Sequence, residues 1–371
     1  MKSSPKAGRP QKKTGAGLVG KFVVGDPQYR VFLSYSHGDD RLVTEIEEAI
    51  RANKLLPIRA QKQMTVGKAF DDQIRLLISH AHVFVPVITP KADERRWVHE
   101  EIGYAIARNV PVLAVVVNHD IKGMLERLQA LVVKRQEVVR RVREVITRGK
   151  IMSMIEDTEV ENTPWEVVDH QSARARMIAK YAGQVRTHFG CGRVRQQAAL
   201  STFAIPNCAI EQAEWLRRYG TTKVETEEWD ANRLERIELE KHAESAGARL
   251  ILNPHPALPF ISKDCGDEAI RQRMKTLLAF LKSEQGLKTR VAMSTDNFLT
   301  HNITMVGDGF VCESVSPDGR GFRQTTFTRH APTVFQRAQA FDEKFDRLVE
   351  KAGGEKAAHD QALIELAKLA K

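Results

Sequence analysis

The sequence has few cysteines and no long apolar run. Its four cysteines lie far apart and include no Cys-x-x-Cys pair; they are Cys191, Cys208, Cys265 and Cys312. This spacing excludes a disulfide scaffold and a zinc ribbon, and it fits a reducing compartment, so we expect a cytoplasmic protein. No apolar segment reaches the roughly 20 residues of a membrane-spanning helix, and the N-terminus is polar where a signal peptide is apolar. We therefore expect no membrane partner.

Aromatic residues are also scarce, at 6% of the chain. The net charge of +10 is concentrated partly in residues 2–21, among Gly, Pro and Ser. Such a segment buries too little surface to offset its ordering entropy, so we predict a disordered basic tail over residues 1–27. The bases of Lys134–Arg148 fall on a helical pattern without aromatic partners, which favours a solvated helix face. Nucleic acid is therefore not an expected partner.

Short apolar runs alternate with helical patterns from Tyr29 onward. The predicted strands are Tyr29–Ser36, Leu56–Arg59, Val83–Ile88 and Val110–Val117. Strands that alternate with helices form parallel βαβ units, so residues 28–150 are predicted to be an α/β domain with a flavodoxin-like, doubly wound parallel sheet. A long helical stretch, Lys122–Arg148, is expected to close this domain.

A second α/β domain is predicted beyond an acidic linker at residues 151–164. It spans residues 165–352, and its strand-like runs cluster late in the chain, which indicates a mixed sheet. Residues 353–371, after a Gly-Gly break, are predicted to be a C-terminal helix or tail. The strand-like runs are Arg249–Asn253, Arg290–Ser294, Asn302–Val306, Gly309–Ser314 and Gln324–Thr328.

One helix of the first domain combines an aromatic residue with a carboxylate. Residues three and four apart share a helix face, so Trp97, Glu101, Tyr104 and Arg108 are expected to form one row. The adjacent row, Val98, Ile102, Ala105 and Ile106, is expected to face the core. This helix follows an apolar strand, and open α/β sheets bind their ligands at the carboxyl ends of such strands. A Trp packed at the domain edge beside a solvated Glu is the other interpretation of the same pattern.

Several segments, in this order, resemble Toll/interleukin-1 receptor (TIR) domains. They cover residues 28–150, and Arg30 stands where an Asp is common in the family, a difference that we expect to be peripheral. The matching segments are Arg30–Ser36 with Asp39-Asp40, the loop glycine in Val66-Gly67, Val83–Pro90, Trp97-x-x-x-Glu101, and Val110–Val117.

The resemblance implies one of two functions, since the family contains enzymes that cleave NAD⁺ and scaffolding adaptors. The Glu of the Trp/Glu helix distinguishes the enzymes, so Glu101 is the predicted catalytic residue. By the same resemblance, Ser36, His37 and Asp39 would border the bound NAD⁺ and Trp97 would line its pocket. NAD⁺ is the expected substrate, with no further cofactor and no metal. A non-enzymatic adaptor that acts through TIR–TIR assembly remains the alternative.

The second domain carries a weak resemblance to the phospholipase D superfamily. His301 and Asp308 have the spacing of its His-x-Lys-x4-Asp motif, but Ile303 replaces the lysine that would bind phosphate. A hairpin with a turn at Gly307–Gly309 is an equally good interpretation. We therefore expect a sensor or oligomerisation domain that receives an unknown activating ligand or protein. TIR enzymes of this kind self-associate and serve bacterial antiviral defence, and the resemblance implies the same here.

Overall fold

The computed structural model describes residues 29–59, 70–93, 96–120, 126, 128–157, 163–205, 223–316 and 324–371. The predicted basic tail and the loop glycine Gly67 lie outside these residues. The same holds for part of the predicted linker.

The N-terminal domain is built on five parallel strands in the order β2-β1-β3-β4-β5. The first strand thus lies inside the sheet, as the doubly wound prediction requires, and the predicted fold class is confirmed. In register, Val31 of β1 lies between Pro57 of β2 and Val83 of β3. The strands are β1 (Arg30–Ser34), β2 (Leu56–Arg59), β3 (Val83–Ile88), β4 (Leu113–Val117) and β5 (Gln129–Val133).

Helices cover both faces of this sheet because successive strand residues point to opposite faces. Val31 and Leu33 pack against α1, α5 and α6, whereas Phe32 packs against α2 and α4. The helices are α1 (Asp40–Ala52), α2 (Phe70–Ser79), the single turn α3 (Pro90–Asp93), α4 (Arg96–Ala107), α5 (Val138–Val145) and α6 (Arg148–Glu156).

Two expectations for the end of this domain differ from the structure. The stretch Lys122–Arg148 is not one helix, because it contains the edge strand β5 before α5. The predicted linker also begins inside a helix: Ile151 and Ile155 of α6 are buried in the core beneath β1. Residues 148–156 therefore pack with the first domain.

The C-terminal domain has a seven-stranded mixed sheet in the order β6-β12-β11-β10-β7-β8-β9. Strands β7, β8 and β9 are parallel, and the other pairs are antiparallel. The strands are β6 (Glu166–Val168), β7 (Val194–Ala198), β8 (Ala248–Leu252), β9 (Thr289–Met293), β10 (His301–Val306), β11 (Phe310–Val315) and β12 (Gln324–Thr328). The predicted mixed sheet is confirmed, with β6 and β7 as additional strands.

Among the described residues of this domain, four helices pack on one face of the sheet and one long helix packs on the other. In the described part of the chain, no helix is long and apolar enough to cross a bilayer. The first group is α7 (Gln171–Phe189), α8 (Lys223–Ala246), α10 (Asp267–Lys282) and α12 (Glu355–Leu369); α11 (Ala331–Lys351) covers the opposite face, and the short α9 (Leu258–Cys265) precedes α10.

The segment that resembles a phospholipase D motif is a β-hairpin. Strands β10 and β11 pair from His301–Val315 to Val306–Phe310, and Gly307 in the turn has a φ of 56°, which glycine adopts without strain. An extended strand separates His301 from Asp308 by on the order of 20 Å. The two residues therefore form no common site, and the hairpin interpretation is confirmed.

Asp308, in this turn, pairs with Arg30 of the N-terminal domain. Arg30 is fully buried, and its Nη1 lies 2.5 Å from Asp308 Oδ1. Its Nε donates to the backbone oxygen of His80 at 2.5 Å, and Nη2 donates to the Asp308 carbonyl at 3.3 Å. His82 Nε2 lies 3.5 Å from Asp308 Oδ2. The expectation that Arg30 is peripheral is therefore wrong, because Arg30 joins the two domains.

Aromatic and polar contacts surround this ion pair. The ring of Tyr29 lies 5.6 Å from that of Phe335 in α11, and the ring of His80 lies 5.2 Å from that of Phe189 in α7. His330 Nε2 lies 2.8 Å from the backbone oxygen of Asn109, which can accept a hydrogen bond from it. The domain interface is therefore a packed interior and not a surface contact.

We expect the variants Arg30→Met and Asp308→Asn each to lower the free energy of unfolding by about 3–5 kcal/mol, because each leaves the partner buried without its counter-charge. Chemical denaturation of the full chain measures this loss. In the double variant, the loss should be clearly smaller than the sum of the two single losses.

Arg41→Met is the matched control. Arg41 is 95% exposed and pairs with Glu45 at 3.7 Å, so its loss should stay below about 0.5 kcal/mol. Equal losses for Arg30→Met and Arg41→Met would contradict a stabilising role for the domain-joining pair.

The same interface predicts a loss of stability on acidification. Burial lowers the pKa of His80 and of His82 well below 6.5, and the positive charge of Arg30 lowers both further. Both rings stay neutral in the folded chain while the unfolded chain gains protons below pH 6.5, so stability falls as the pH drops from 6.5. The slope is about 1.4 kcal/mol per pH unit for each histidine. Denaturation between pH 7.5 and 5, with the exposed-site variant His170→Gln as control, measures this slope, and His80→Phe should reduce it.

Candidate functional site

The candidate site lies at the carboxyl edge of the parallel sheet, where β1 and β3 end side by side. The segment after β1 contains Ser36 and a 3₁₀ turn at His37–Asp39, and the segment after β3 begins with Thr89. Helix α4 starts near this edge and runs back along the sheet. Open parallel sheets bind their ligands at this edge.

Hydrogen bonds join the two loops at this edge. Thr89 Oγ1 donates to Asp39 Oδ2 at 2.8 Å, and the backbone N–H of Ala92 donates to Thr89 Oγ1 at 3.2 Å. The N–H of Asp39 donates to the carbonyl of Ser36 at 2.8 Å, which closes the 3₁₀ turn. Ser36 is buried and Asp39 is half-buried. The hydrogen bond from Thr89 therefore fixes the position of the Asp39 carboxylate relative to the segment that follows β3.

Glu101 is a buried carboxylate on α4. Its side chain is only 8% exposed, and Ile102 beside it is fully buried in the core. The interpretation of Glu101 as a solvated surface residue is therefore wrong. Val98 and Ala105 are buried as predicted, whereas Ile106 is 48% exposed, contrary to prediction. Glutamates are seldom buried unless they are paired or functional, which makes Glu101 the distinctive residue of this helix.

Tyr104 and Trp97 lie on either side of Glu101 in the sequence of α4. The hydroxyl of Tyr104 lies 3.1 Å from Ser79 Oγ at the end of α2, so Tyr104 ties α4 to α2. Trp97 lies one helical turn before Glu101, nearer the start of α4. The helix thus places Trp97 between the carboxyl edge of the sheet and Glu101.

Ser34 is a candidate site residue that no sequence motif indicated as such. It is the last residue of β1, it is 3% exposed, and its Oγ has no hydrogen-bond partner among the described residues. Alternation along β1 places Ser34 on the face of Phe32, the face that α4 covers. A buried hydroxyl at a ligand edge is a natural hydrogen-bond partner for a bound molecule. The sequence signal was a polar residue at an inward position of an apolar strand.

A buried arginine holds the start of α1 from the opposite face of the sheet. Arg59 of β2 donates to Tyr35 Oη at 2.6 Å and to Glu47 Oε2 at 3.2 Å, and it also pairs with Asp40. Burial alone would lower the pKa of Arg59, but the bonds with Tyr35 and Glu47 raise it; burial raises the pKa of Tyr35. The network fixes the residues that flank the turn at 37–39.

The structure therefore places Ser36, His37 and Asp39 on the segment that follows β1, at the carboxyl edge of the sheet, and Trp97 and Glu101 on α4, which begins after β3. Within the described residues, no group of three or more His, Cys, Asp or Glu side chains is placed to hold a metal ion. The absence of a metal requirement stays a prediction, as does the role of each of the five residues.

The family comparison agrees with the fold and the order of the motifs. Residues 31–145 match the family model of the TIR domain. The chain carries a TIR domain. The resemblance seen in the sequence is thereby confirmed for this segment.

Among solved structures, one match is the structure of a CMP N-glycosidase from Clostridium botulinum. It is 13% identical, covers 30% of this chain and 97% of that chain, and has a TM-score of 0.24. A similarity at this level supports no conclusion about activity. The comparison with curated proteins finds no match.

Proposed function

We propose that the TIR domain cleaves the N-glycosidic bond of NAD⁺, releasing nicotinamide and leaving ADP-ribose or its cyclic form. The observation that carries this proposal is the burial of Glu101, a carboxylate on the helix beside the carboxyl edge of the sheet. Ser36, His37 and Asp39 would border the bound substrate, and Trp97 would line the pocket.

A single carboxylate suffices for this reaction. Ordinary glycosidases need a second carboxyl group to protonate the leaving oxygen. The nicotinamide of NAD⁺ is already cationic and departs neutral, so no acid is required. The ribose that remains develops positive charge, and a fixed anion stabilises it. Water then adds to the ribose carbon and loses a proton to give ADP-ribose, or a nitrogen of the adenine adds there to give the cyclic form. A carboxylate with little solvent access does this more strongly than an exposed one, because water screens it less.

The buried Ser34 adds a group that could orient the substrate. Its hydroxyl lies on the face that α4 covers, and no described residue occupies it as a hydrogen-bond partner. A ribose hydroxyl of NAD⁺ is a suitable partner in kind. Ser34 is therefore a proposed binding residue beside the five that the sequence indicated.

We further propose that the C-terminal domain controls this activity and that TIR domains self-associate when they are active. The packed interface at Arg30 and Asp308 supports such control, because it connects the first strand of the TIR sheet to the hairpin of the other domain. A role in bacterial antiviral defence fits this combination of an NAD⁺-cleaving domain and a regulatory domain.

A scaffolding adaptor is the second candidate function. It requires only that the TIR surface bind other TIR domains, and Glu101 would then have no chemical role. The burial of Glu101 favours the enzyme, since a carboxylate with little solvent access stabilises a nearby positive charge more strongly than an exposed one. The two candidates differ in whether NAD⁺ stabilises the folded chain, which a thermal shift measures.

Replacement of the buried carboxylate tests the enzyme. We expect Glu101→Gln to lower the rate of nicotinamide release about 10²- to 10³-fold, because the amide keeps the shape and removes the stabilising charge. Glu100→Gln is the matched control: Glu100 is exposed on the same helix, and the rate should not change. Chromatographic assay of nicotinamide from the full chain gives both rates, and thermal denaturation checks the folding of each variant. Equal rates for the wild type and Glu101→Gln would refute the assignment.

Self-association predicts a dependence on concentration. If assembly completes the active state, the specific activity of the full chain should rise with protein concentration over about a hundredfold range, following mass action. Nicotinamide release measured across this range, with light scattering at each concentration, tests the prediction. Constant specific activity from a monomeric protein would contradict it.

A further inference from the structure

The C-terminal domain contains a cavity of about 930 Å³. It opens at the carboxyl end of β7 and is bordered by the segments that follow β7 and β8, which are parallel neighbours. Its other walls come from α7, α8 and α9. Both the volume and the position are typical of a small-molecule site in an α/β sheet.

The floor of this cavity is a buried polar network. Arg174 Nη1 lies 3.2 Å from Glu235 Oε2, and the hydroxyl of Thr202 donates to Glu235 Oε1 at 2.9 Å. The amide of Gln196 donates to Thr202 at 2.8 Å. Glu235 is fully buried, and Arg174 is 8% exposed. The network holds these side chains in fixed positions, and the positive charge of Arg174 is balanced by the carboxylate of Glu235.

Three buried polar atoms in the cavity wall lack a hydrogen-bond partner among the described residues. They are the Nε of Arg174 and the Oδ1 atoms of Asn232 and Asn302. Asn302 is 9% exposed, so water has little access to it. Buried polar atoms are nearly always paired, and the residues that carry these three line the cavity. A molecule bound in the cavity would supply one acceptor and two donors.

The remaining walls indicate the shape and charge of this molecule. Trp229 and Phe260 line the cavity, and Phe260 is 37% exposed although it is a large apolar side chain. Around them, the cations Lys263 and Arg273 are matched by two carboxylates, those of Glu228 and Asp264. The lining thus offers flat aromatic surface without an excess of positive charge, which a di- or triphosphate would require.

We propose that this cavity binds a nucleoside. The flat base packs on Trp229 and Phe260, and its ring nitrogens and amino or carbonyl groups supply the donors and acceptor that Asn302 and Arg174 lack. The volume accommodates the ribose together with the base. The site lies in the domain that does not contain Glu101, and the inference does not depend on NAD⁺ cleavage.

Titration calorimetry of the full chain with adenosine, guanosine, cytidine and uridine tests the proposal. At least one of them should bind saturably, at concentrations up to about 1 mM. Phe260→Ala removes a stacking surface and should weaken that binding about tenfold. Asn302→Ala should weaken it at least about threefold. Gln361→Ala, an exposed amide on α12, is the control that leaves the affinity unchanged.

Glu101→Gln distinguishes this site from the TIR site, because nucleoside binding should survive that change. Three results would overturn the proposal: no saturable binding of any of the four nucleosides, affinities unaffected in both Phe260→Ala and Asn302→Ala, or loss of binding in Glu101→Gln. Two variants are used because Asn302 is buried, whereas Phe260 is exposed enough to be replaced without disturbing the fold.

Discussion

A buried charge must have its counter-charge nearby, and in this chain that requirement is met across the two domains. Arg30 is the first residue of β1, inside the TIR sheet, and its carboxylate partner lies 278 residues later in the β10–β11 turn. When one partner of a buried ion pair is removed, the other remains as an uncompensated buried charge, which is strongly destabilising. The stability of each domain therefore depends on the position of the other. The rings of Tyr29, His80 and His82 are buried near this ion pair.

Much of the fold could be predicted because most of its strands are marked by short, local sequence patterns. Continuous apolar runs such as Val83–Ile88 belong to strands covered on both faces, and the two glycines around Asp308 mark a hairpin. Strand β5 escaped prediction because it lies at the sheet edge, where Val132 is 56% exposed, and is followed by a basic helical pattern. Strand β7 escaped because its buried Gln196 and Gln197 are polar, serving tertiary contacts that no hydrophobic pattern records.

The candidate site likewise has features that local sequence patterns predict and features that only the tertiary structure reveals. Helical spacing predicted which residues share a face with Glu101, but not that its carboxylate is 8% exposed, since burial depends on how α4 seats against a sheet assembled from distant segments. Family likeness marked Arg30 as unusual, yet only the other domain explains why an arginine stands there. Ser34 was overlooked for a related reason: a serine at a strand end is common, and only the lack of a partner for its hydroxyl distinguishes it.

The pairing of residues 30 and 308 also limits how this protein can change over evolutionary time. A recombination event that joined this TIR domain to a different C-terminal domain would bury Arg30 in an interface that contains no carboxylate partner for it. The reverse exchange would leave Asp308 in its hairpin turn without an arginine as its counter-charge. A second substitution that removes the unpaired charge would be expected to restore the stability of either product. Exchange of either domain alone is thus expected to lower the stability of the product, in contrast to modules linked by an exposed tether.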